Sequence, residues 1–183
     1  MRLQEYTVKY NLNTSKLNKN KINEYKLYAY LSNLFNDILI IDVGTFVGNS
    51  ALAFANNERN RVITFDINDH IKNKDYKIYS KNNIQFKLDN FMKYEDLIKT
   101  SSMMLIDISP HNGINEQEIL DFLAEVEYKG LLIFDDIAYF KGMISFWNNI
   151  KFKKYNISSV GHWSGTGIVD IYNNHNVKIM QGE

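Results

Sequence analysis

Acidic residues stand at the ends of five short apolar runs in this sequence. They are Asp42, Asp66, Asp89, Asp107 and the adjacent pair Asp135 and Asp136. If the runs are parallel strands, their carboxyl ends meet at one edge of a sheet, which is where ligands bind in open α/β folds. Carboxylates that crowd together repel each other unless a cation or a hydrogen-bonded ligand compensates. The pattern therefore predicts a site that binds a cation or a polar ligand at this edge.

A glycine-containing turn follows the first of these acids. Gly44 and Gly48 would let the backbone turn tightly and approach a ligand, and a helix is predicted directly after them. Their GxxxG spacing differs from the GxGxxG of dinucleotide-binding proteins. The start of that helix would attract a carboxylate, whereas Asp42 would attract an ammonium group and repel a pyrophosphate. S-adenosylmethionine carries both an ammonium and a carboxylate, so this turn favours it over NAD.

Two later positions suit the adenosine part of such a ligand. Asp66 lies 24 residues after Asp42, close to the offset of about 20 residues expected for an acid that binds ribose hydroxyls. Asp89 and Asn90 precede Phe91, where an adenine could be hydrogen-bonded and covered by an aromatic face. The alternative for this last group is an ordinary turn with its aromatic ring in the core.

Hydrophobic periodicity predicts the helices that position these residues. Apolar residues recur at helical spacing over 22–36. Asn115, with Glu118 three residues later, resembles a capping box that begins a helix ending near Gly130. Two further helices are predicted at Ser50–Ala55 and near Phe140–Asn149.

Apolar runs predict five parallel strands and two closing ones. The five are Ile38–Ile41, Arg61–Phe65, Ile84–Leu88, Met103–Ile106 and Leu131–Phe134. The closing strands, Asn156–Val160 and Gly167–Tyr172, are joined by too short a link for a parallel crossover and should pair antiparallel. The segment 67–83 lacks clear periodicity and is expected to be loop or short helix. We therefore expect an α/β fold with a mostly parallel seven-stranded sheet, an antiparallel last strand and helices on both faces.

Length and composition narrow the class of protein. The chain has 183 residues, 45% of them hydrophobic, which suits one domain, with 1–21 as an N-terminal extension and 22–183 as the core. The formal net charge is zero, which disfavours a nucleic-acid partner. There is no cysteine, so disulfides and cysteine-ligated zinc are excluded. No apolar run is long enough to span a bilayer, and we expect a cytoplasmic protein without a membrane partner. The oligomeric state stays open, with a homodimer as one option.

Three segments resemble motifs of class I S-adenosylmethionine-dependent methyltransferases, in particular catechol-type and macrocin-type O-methyltransferases. Asp42–Ala51 is similar to their first motif, which has an acid, glycine, aromatic, glycine and serine at matching steps. Leu105–His111 resembles their fourth-strand motif, and Gly130–Asp136 resembles the fifth-strand motif, in which paired acidic or amide residues help to bind a divalent metal. The resemblance covers residues 38–137 and implies a Rossmann-like fold.

The resemblance also implies roles for individual residues. The residues that would bind S-adenosylmethionine are Asp42, Gly44, Phe46, Gly48, Ser50, Asp66, Asp89, Asn90, Asp107 and Ile108. Asp107, Asp135 and Asp136 would hold a divalent metal, and such an oxygen-rich set suits Mg²⁺ or Mn²⁺. The catechol-type families place a lysine shortly after the fourth-strand acid, but this chain has His111 nearby instead. His111 is therefore predicted as the catalytic base, together with Asp107, and a loop histidine that caps a neighbour is the alternative.

The expected acceptor is a hydroxyl group on a sugar, glycan or other small molecule. Trp163, in the loop between the closing strands, could stack on a sugar or ring, although a surface tryptophan in a glycine-rich hairpin is the alternative. Two other functions are considered. An NAD-dependent oxidoreductase is disfavoured by Asp42 and the GxxxG spacing. A non-catalytic module that binds an adenosyl ligand is disfavoured by the acidic residues predicted to converge.

Overall fold

A computed structural model describes residues 19–71 and 81–174 of the chain, with side chains from residue 24 onward. Its strands are β1 (Leu39–Val43), β2 (Arg61–Asp66), β3 (Ile84–Leu88), β4 (Met103–Ile106), β5 (Leu131–Phe134), β6 (Lys153–Asn156) and β7 (Gly167–Asp170). Its helices are α1 (Lys19–Asn33), α2 (Asn49–Phe54), α3 (Glu95–Thr100), α4 (Ile114–Glu125) and α5 (Lys141–Asn149), with a 3-10 turn at Phe91–Lys93. Most of the predicted extension, 1–21, and most of the aperiodic segment, 67–83, lie outside the described residues.

The strands form one sheet in the order β3-β2-β1-β4-β5-β7-β6. Strands β1 to β5 pair in parallel, β7 runs antiparallel beside β5, and β6 is antiparallel to β7. The fold class and the antiparallel closing pair are thus confirmed. The strand order reverses between β1 and β4, and such a switch point opens a crevice beyond the carboxyl ends of the strands.

Alternate residues of the central strands pack into two cores on opposite faces of the sheet. Ile41 of β1 belongs to a core with α4 and α5, whereas Ile40 belongs to a core with α1 and α2. Strands buried on both faces read as continuous apolar runs, which is why the sequence located them well. Among the described residues, none of the helices is both long enough and apolar enough to cross a membrane.

The start of α4 differs from the predicted capping box. The first helical residue is Ile114 rather than one after Asn115, and Gly113 precedes it with a φ of 79°. The Asn112 side-chain oxygen accepts the N–H groups of Ile114 and Asn115, at 2.9 and 3.1 Å. The carboxylate that reaches back to the Gly113 N–H is Glu116, at 2.8 Å, not Glu118. The helix ends at Glu125, before the predicted stop at Gly130.

The predicted strand Asn156–Val160 was wrong in position. The strand is Lys153–Asn156, and the chain turns after it, with the Val160 N–H donating to the Ile157 carbonyl oxygen at 3.0 Å. Lys154 pairs with Val169 of β7, and its ammonium donates to carbonyl groups at the end of α5, including that of Ile150 at 3.2 Å. Because this lysine caps the end of α5, a charged residue stands within the strand and interrupts the apolar pattern that would predict it.

Candidate functional site

A cavity of about 480 Å³ lies beyond the carboxyl ends of β1 to β5. Its walls come from the loops after these five strands and from the first turns of α4. A volume of this size is ordinary for a site that binds a small molecule or cofactor. The predicted site residues on its wall are Gly44, Phe46, Asp66, Asp89, Asn90, Asp107, Ile108, His111, Asp135 and Asp136.

Gly44 lets the first loop touch the fourth. Its φ is 102°, and a Cβ placed there would lie 1.7 Å from the carbonyl oxygen of Asp107. Only glycine fits at such a backbone approach. Gly48, with a φ of 82°, precedes the first residue of α2. Gly44 therefore holds the loops after β1 and β4 in contact at the wall of the cavity, whereas Gly48 leads into α2.

Asp42 and Ser50 lie behind the wall of the cavity rather than on it. Asp42 is fully buried, and its Oδ2 accepts the hydroxyl groups of Ser50 at 3.1 Å and Thr64 at 2.6 Å. Its other oxygen, Oδ1, is buried and has no hydrogen-bond partner among the described residues. Burial above all, and then the charges of Asp107 and Asp66, raise the pKa of Asp42 to about 7, against the two hydroxyl bonds. This carboxyl group would gain from a nearby cation.

Asp66 stands at the end of β2, opposite the glycine turn. Its Oδ2 accepts the N–H of Phe46 and its Oδ1 accepts the N–H of Asn68, both at 2.9 Å. Phe46 has a left-handed φ of 46°, and its ring, 62% exposed, lies edge-on to His70 with centroids 5.4 Å apart. The carboxylate of Asp66 is thus fixed by backbone groups on both sides while it faces the cavity.

Asp89 and Asn90 use their side chains mainly in local structure. Asp89 accepts from Lys93 at 2.6 Å and from the Tyr94 hydroxyl at 2.9 Å. The hydrogen bond from Lys93, followed by that from Tyr94, lowers the pKa of Asp89 to about 2. Asn90 accepts the N–H of Met92 at 3.0 Å and so caps the 3-10 turn. Both residues line the cavity, but Asp89 already has hydrogen-bond donors on each of its oxygens.

Asp107, His111 and Asp136 come together at the β4–β5 side of the cavity. A ligand atom of each lies within 4.8 Å of the ligand atoms of the other two. The His111 Nδ1 lies 3.3 Å from the Asp136 Oδ2. Burial would raise the pKa of Asp136, but hydrogen bonds from His162 and Ser164 hold it below its usual range. The structure therefore joins the predicted base to two of the three predicted metal ligands.

Asp135 does not belong to that cluster, and the predicted trio of Asp107, Asp135 and Asp136 is divided. Asp135 instead lies with Glu24 and His162, again with ligand atoms within 4.8 Å of one another. Neighbouring residues of an extended chain point to opposite sides, and Asp136 also has a left-handed φ of 57°. Only Asp136 therefore reaches Asp107 and His111, although both carboxylates lie near the His162 Nδ1, at 4.0 Å for Asp135 and 3.5 Å for Asp136.

The sequence did not reveal several residues of this region. Asn115 and Glu118, predicted as helix caps, line the cavity. Glu24 and His162 were missed because they lie far from the strand ends in the sequence. Tyr139 and Trp163 form an exposed corner beside His111, with their rings perpendicular and centroids 5.5 Å apart. The Tyr139 ring is also edge-on to His111, at 6.5 Å, so the corner adjoins the Asp107–His111–Asp136 cluster.

Comparison with known proteins supports the fold alone. No family model and no curated protein matches the chain. Among solved structures, an O-methyltransferase from Bacillus cereus in complex with SAH is 14% identical, with a TM-score of 0.63 over 88% of this chain and 84% of that one. The O-methyltransferase TomG from Streptomyces achromogenes, in complex with SAM, is 13% identical, with a TM-score of 0.60 over 80% and 78%.

A third similar structure is a precorrin-6y C5,15-methyltransferase from Geobacter metallireducens. It is 13% identical, with a TM-score of 0.56 over 80% of this chain and 79% of that one. The similar folds thus include a protein that is not named as an O-methyltransferase, and the likeness leaves the acceptor atom open. With its sheet order, its glycine turn after β1 and its acids at the strand ends, the chain has the Rossmann-like fold of class I S-adenosylmethionine-dependent methyltransferases.

Proposed function

We propose that the chain is an S-adenosylmethionine-dependent O-methyltransferase that acts on a hydroxyl group of a sugar, glycan or other small molecule, assisted by a divalent metal. One observation carries this proposal. A single cavity joins the glycine turn and Asp66, on one side of the switch point, to the Asp107–His111–Asp136 cluster on the other. A donor and an acceptor can therefore meet between β1 and β4.

The residues on the β1–β2 side fit the methyl donor. The carboxyl group of Asp42 is buried behind the wall of the cavity, and the donor's ammonium group is a cation that would stabilise its charge from within the cavity. Asp66 faces the cavity at the end of β2, where an acid binds ribose hydroxyls in folds of this kind. When bound, the donor supplies a methyl group already activated by its sulfonium, so the protein needs chiefly to align an acceptor oxygen and remove its proton.

His111 is placed to remove that proton. An Nδ1–H that donates to Asp136, at 3.3 Å, leaves the Nε2 lone pair for the acceptor hydroxyl. The carboxylate orients the imidazole and stabilises the imidazolium that forms. Only 21% of the His111 side chain is exposed, so the base is largely shielded from bulk water.

The same cluster fits a divalent ion. Asp107 and Asp136 would hold it, and the His111 nitrogen is near enough to serve as a third ligand instead of as the base. Such an ion would orient the acceptor oxygen and lower its pKa. The two roles of His111 differ in what its loss changes: affinity for the metal, or the rate of proton removal.

The Tyr139–Trp163 corner supports a ring-shaped acceptor. The exposed fractions of the two residues are 44% and 58%, so their ring faces are open to a ligand. Aromatic faces of this kind pack against the apolar face of a ring and leave its hydroxyl groups free. Because Tyr139 is also in contact with His111, a ring held in the corner would carry its hydroxyl groups toward the base.

Calorimetric titration with S-adenosylhomocysteine, NAD and ATP, with and without Mg²⁺, tests the donor. S-adenosylhomocysteine should bind and raise the melting temperature by mass action, whereas NAD and ATP should not. Binding of NAD without S-adenosylhomocysteine would favour the oxidoreductase instead. Binding of S-adenosylhomocysteine without transfer to any member of a sugar and phenol panel would favour a non-catalytic module.

Chelation tests the metal. EDTA should lower activity, and Mg²⁺ or Mn²⁺ should restore it. If His111 is the base, His111→Ala should lower turnover at saturating metal and leave the metal requirement unchanged. Full activity in chelator would remove the metal from the reaction.

A further inference from the structure

The loop between β6 and β7 alternates between buried and exposed side chains. His162, Ser164 and Thr166 have exposed fractions of 4%, 1% and 0%, whereas Trp163 is 58% exposed. Buried polar side chains need hydrogen-bond partners inside the protein. The loop therefore places Trp163 in the exposed corner beside His111 and three polar side chains in the interior.

Backbone hydrogen bonds fix this loop against the residues that follow β5. The Ala138 N–H donates to the Ser164 carbonyl oxygen at 2.7 Å, and the Ile137 N–H donates to the Gly165 carbonyl oxygen at 3.1 Å. Ile137 and Ala138 directly follow Asp136 in the chain. The side chain of Ser164 therefore has a defined position relative to the Asp136 carboxylate.

The Ser164 hydroxyl lies between a carboxylate and an imidazole. It contacts both the Asp136 Oδ1 and the His162 Nδ1. A carboxylate can only accept, so the single hydrogen of the hydroxyl goes to Asp136, and the His162 Nδ1–H donates to the hydroxyl oxygen. His162 thus directs the hydroxyl hydrogen of Ser164 toward Asp136.

The other oxygen of Asp136 faces His111. The His111 Nδ1 lies 3.3 Å from the Asp136 Oδ2, which is longer than the usual N–H···O distance of about 2.9–3.0 Å. A hydrogen bond of this length tolerates little further displacement of the carboxylate. The hydrogen bond made by one ring nitrogen of a histidine decides whether the other nitrogen keeps its lone pair. The lone pair on the His111 Nε2 therefore depends on where Asp136 is held.

We propose that Ser164 is a positioning residue for the methyl transfer: its hydroxyl holds Asp136 in the orientation that keeps hydrogen on the His111 Nδ1 and the lone pair on Nε2. Ser164 does not line the cavity, so it acts through Asp136 and not on the donor or the acceptor. The value of this arrangement for catalysis rests on the proposed function, in which His111 is the base, whereas the tautomer of His111 does not.

Nitrogen NMR of the histidine side chains tests this role without any use of methyl transfer. The protein is labelled with ¹⁵N at the imidazole nitrogens and kept in EDTA at about pH 9, well above the ordinary histidine pKa of about 6.5. The chain has four histidines, and the resonances of His111 are those lost in His111→Gln. We expect the wild type to carry hydrogen on the His111 Nδ1, and Ser164→Ala to show a mixture of both neutral tautomers.

The matched control is Ser159→Ala, which removes an exposed hydroxyl from the same loop and should keep the wild-type tautomer. Ser164→Cys, whose thiol is a weak donor, should show an intermediate mixture and serves if Ser164→Ala does not fold. A wild-type His111 without hydrogen on Nδ1 would overturn the proposal. A Ser164→Ala protein that keeps the wild-type tautomer would overturn it as well.

Steady-state kinetics supply a second readout. Ser164→Ala should lower kcat by about tenfold, while the KM for the acceptor and the affinity for S-adenosylhomocysteine stay within about twofold. An equal loss of kcat and of donor affinity would contradict the proposal, because Ser164 would then support the cavity as a whole. If the wild type transfers no methyl group, the proposed function fails, yet the tautomer of His111 still decides the role of Ser164.

Discussion

The two sides of the cavity differ in how their polar groups are satisfied. On the β1–β2 side, the cavity-facing acid is bonded by its own surroundings: Asp66 accepts two backbone N–H groups. On the β4–β5 side, Asp135 and Asp136 both lie within 4.0 Å of His162, and the His162 Nε2 has no hydrogen-bond partner among the described residues. The cavity-facing acid of the first side already has hydrogen-bond donors, whereas the second side has a buried polar atom without one. We infer that the first side binds a ligand as it stands and that the second depends on a cation or a proton.

The largest expected effect concerns the exception on the first side, the buried Asp42. Its pKa is raised to about 7 in the folded protein, so the folded state keeps a proton that the unfolded state loses near pH 4. The free energy of unfolding is therefore highest below pH 4. It decreases as the pH rises to 7, by up to about 4 kcal/mol. Urea denaturation at several pH values between 4 and 8 measures this change in the free energy of unfolding.

Asp42→Asn is the matched control, because it mimics the protonated acid. Its stability should fall less than that of the wild type over the same pH range. If the free energies of unfolding of the two proteins change with pH in the same way, ionisation of Asp42 does not destabilise the folded protein. The argument that Asp42 attracts a cationic ligand would then be weaker.

The next prediction tests how rigid the β1–β2 side of the cavity is. Gly44→Ala would place a methyl group on the Asp107 carbonyl oxygen and a side chain at a φ of 102°. We expect unfolding free energy to fall by about 3 kcal/mol or more, together with weaker binding of S-adenosylhomocysteine. Urea denaturation and calorimetry check this. A loss below about 1 kcal/mol would show that the loops can separate.

A paired substitution separates the two sides by function. Asp136→Asn should lower turnover by about 100-fold or more, since His111 loses its orienting carboxylate, while affinity for S-adenosylhomocysteine stays within a few fold. Asp66→Asn should do the reverse and weaken that affinity by about tenfold. Steady-state kinetics and calorimetry on both variants measure this. If the two variants lose affinity for S-adenosylhomocysteine equally, the assignment of the donor to one side of the cavity and of the base to the other is wrong.

The smallest effect belongs to the exposed corner. Trp163→Ala should raise the KM for a ring-shaped acceptor by about tenfold, because one stacking face is lost, and should leave donor affinity unchanged. Leu34→Ala is the control: this exposed residue precedes β1, at the opposite edge of the sheet. An unchanged KM would place the acceptor elsewhere.

The same contrast explains what the sequence could predict. The β1–β2 side is encoded within short segments, so Asp42, Gly44 and Asp66 were located by spacing and by flanking apolar runs. The second side is assembled from residues far apart, such as Glu24 and His162, and no local pattern brings them together. Adjacency in the sequence even misled, since Asp135 and Asp136 follow one strand but only Asp136 joins Asp107 and His111.

Ser164 gives the two acidic clusters a common element. Its hydroxyl has one hydrogen, donated to Asp136 in the first cluster, while its oxygen accepts from His162 in the second. A change in the charge of either partner alters the strength of the hydrogen bond between Ser164 and the other partner. The protonation of Asp136 and that of His162 are therefore thermodynamically linked through this hydroxyl, and the link is reciprocal.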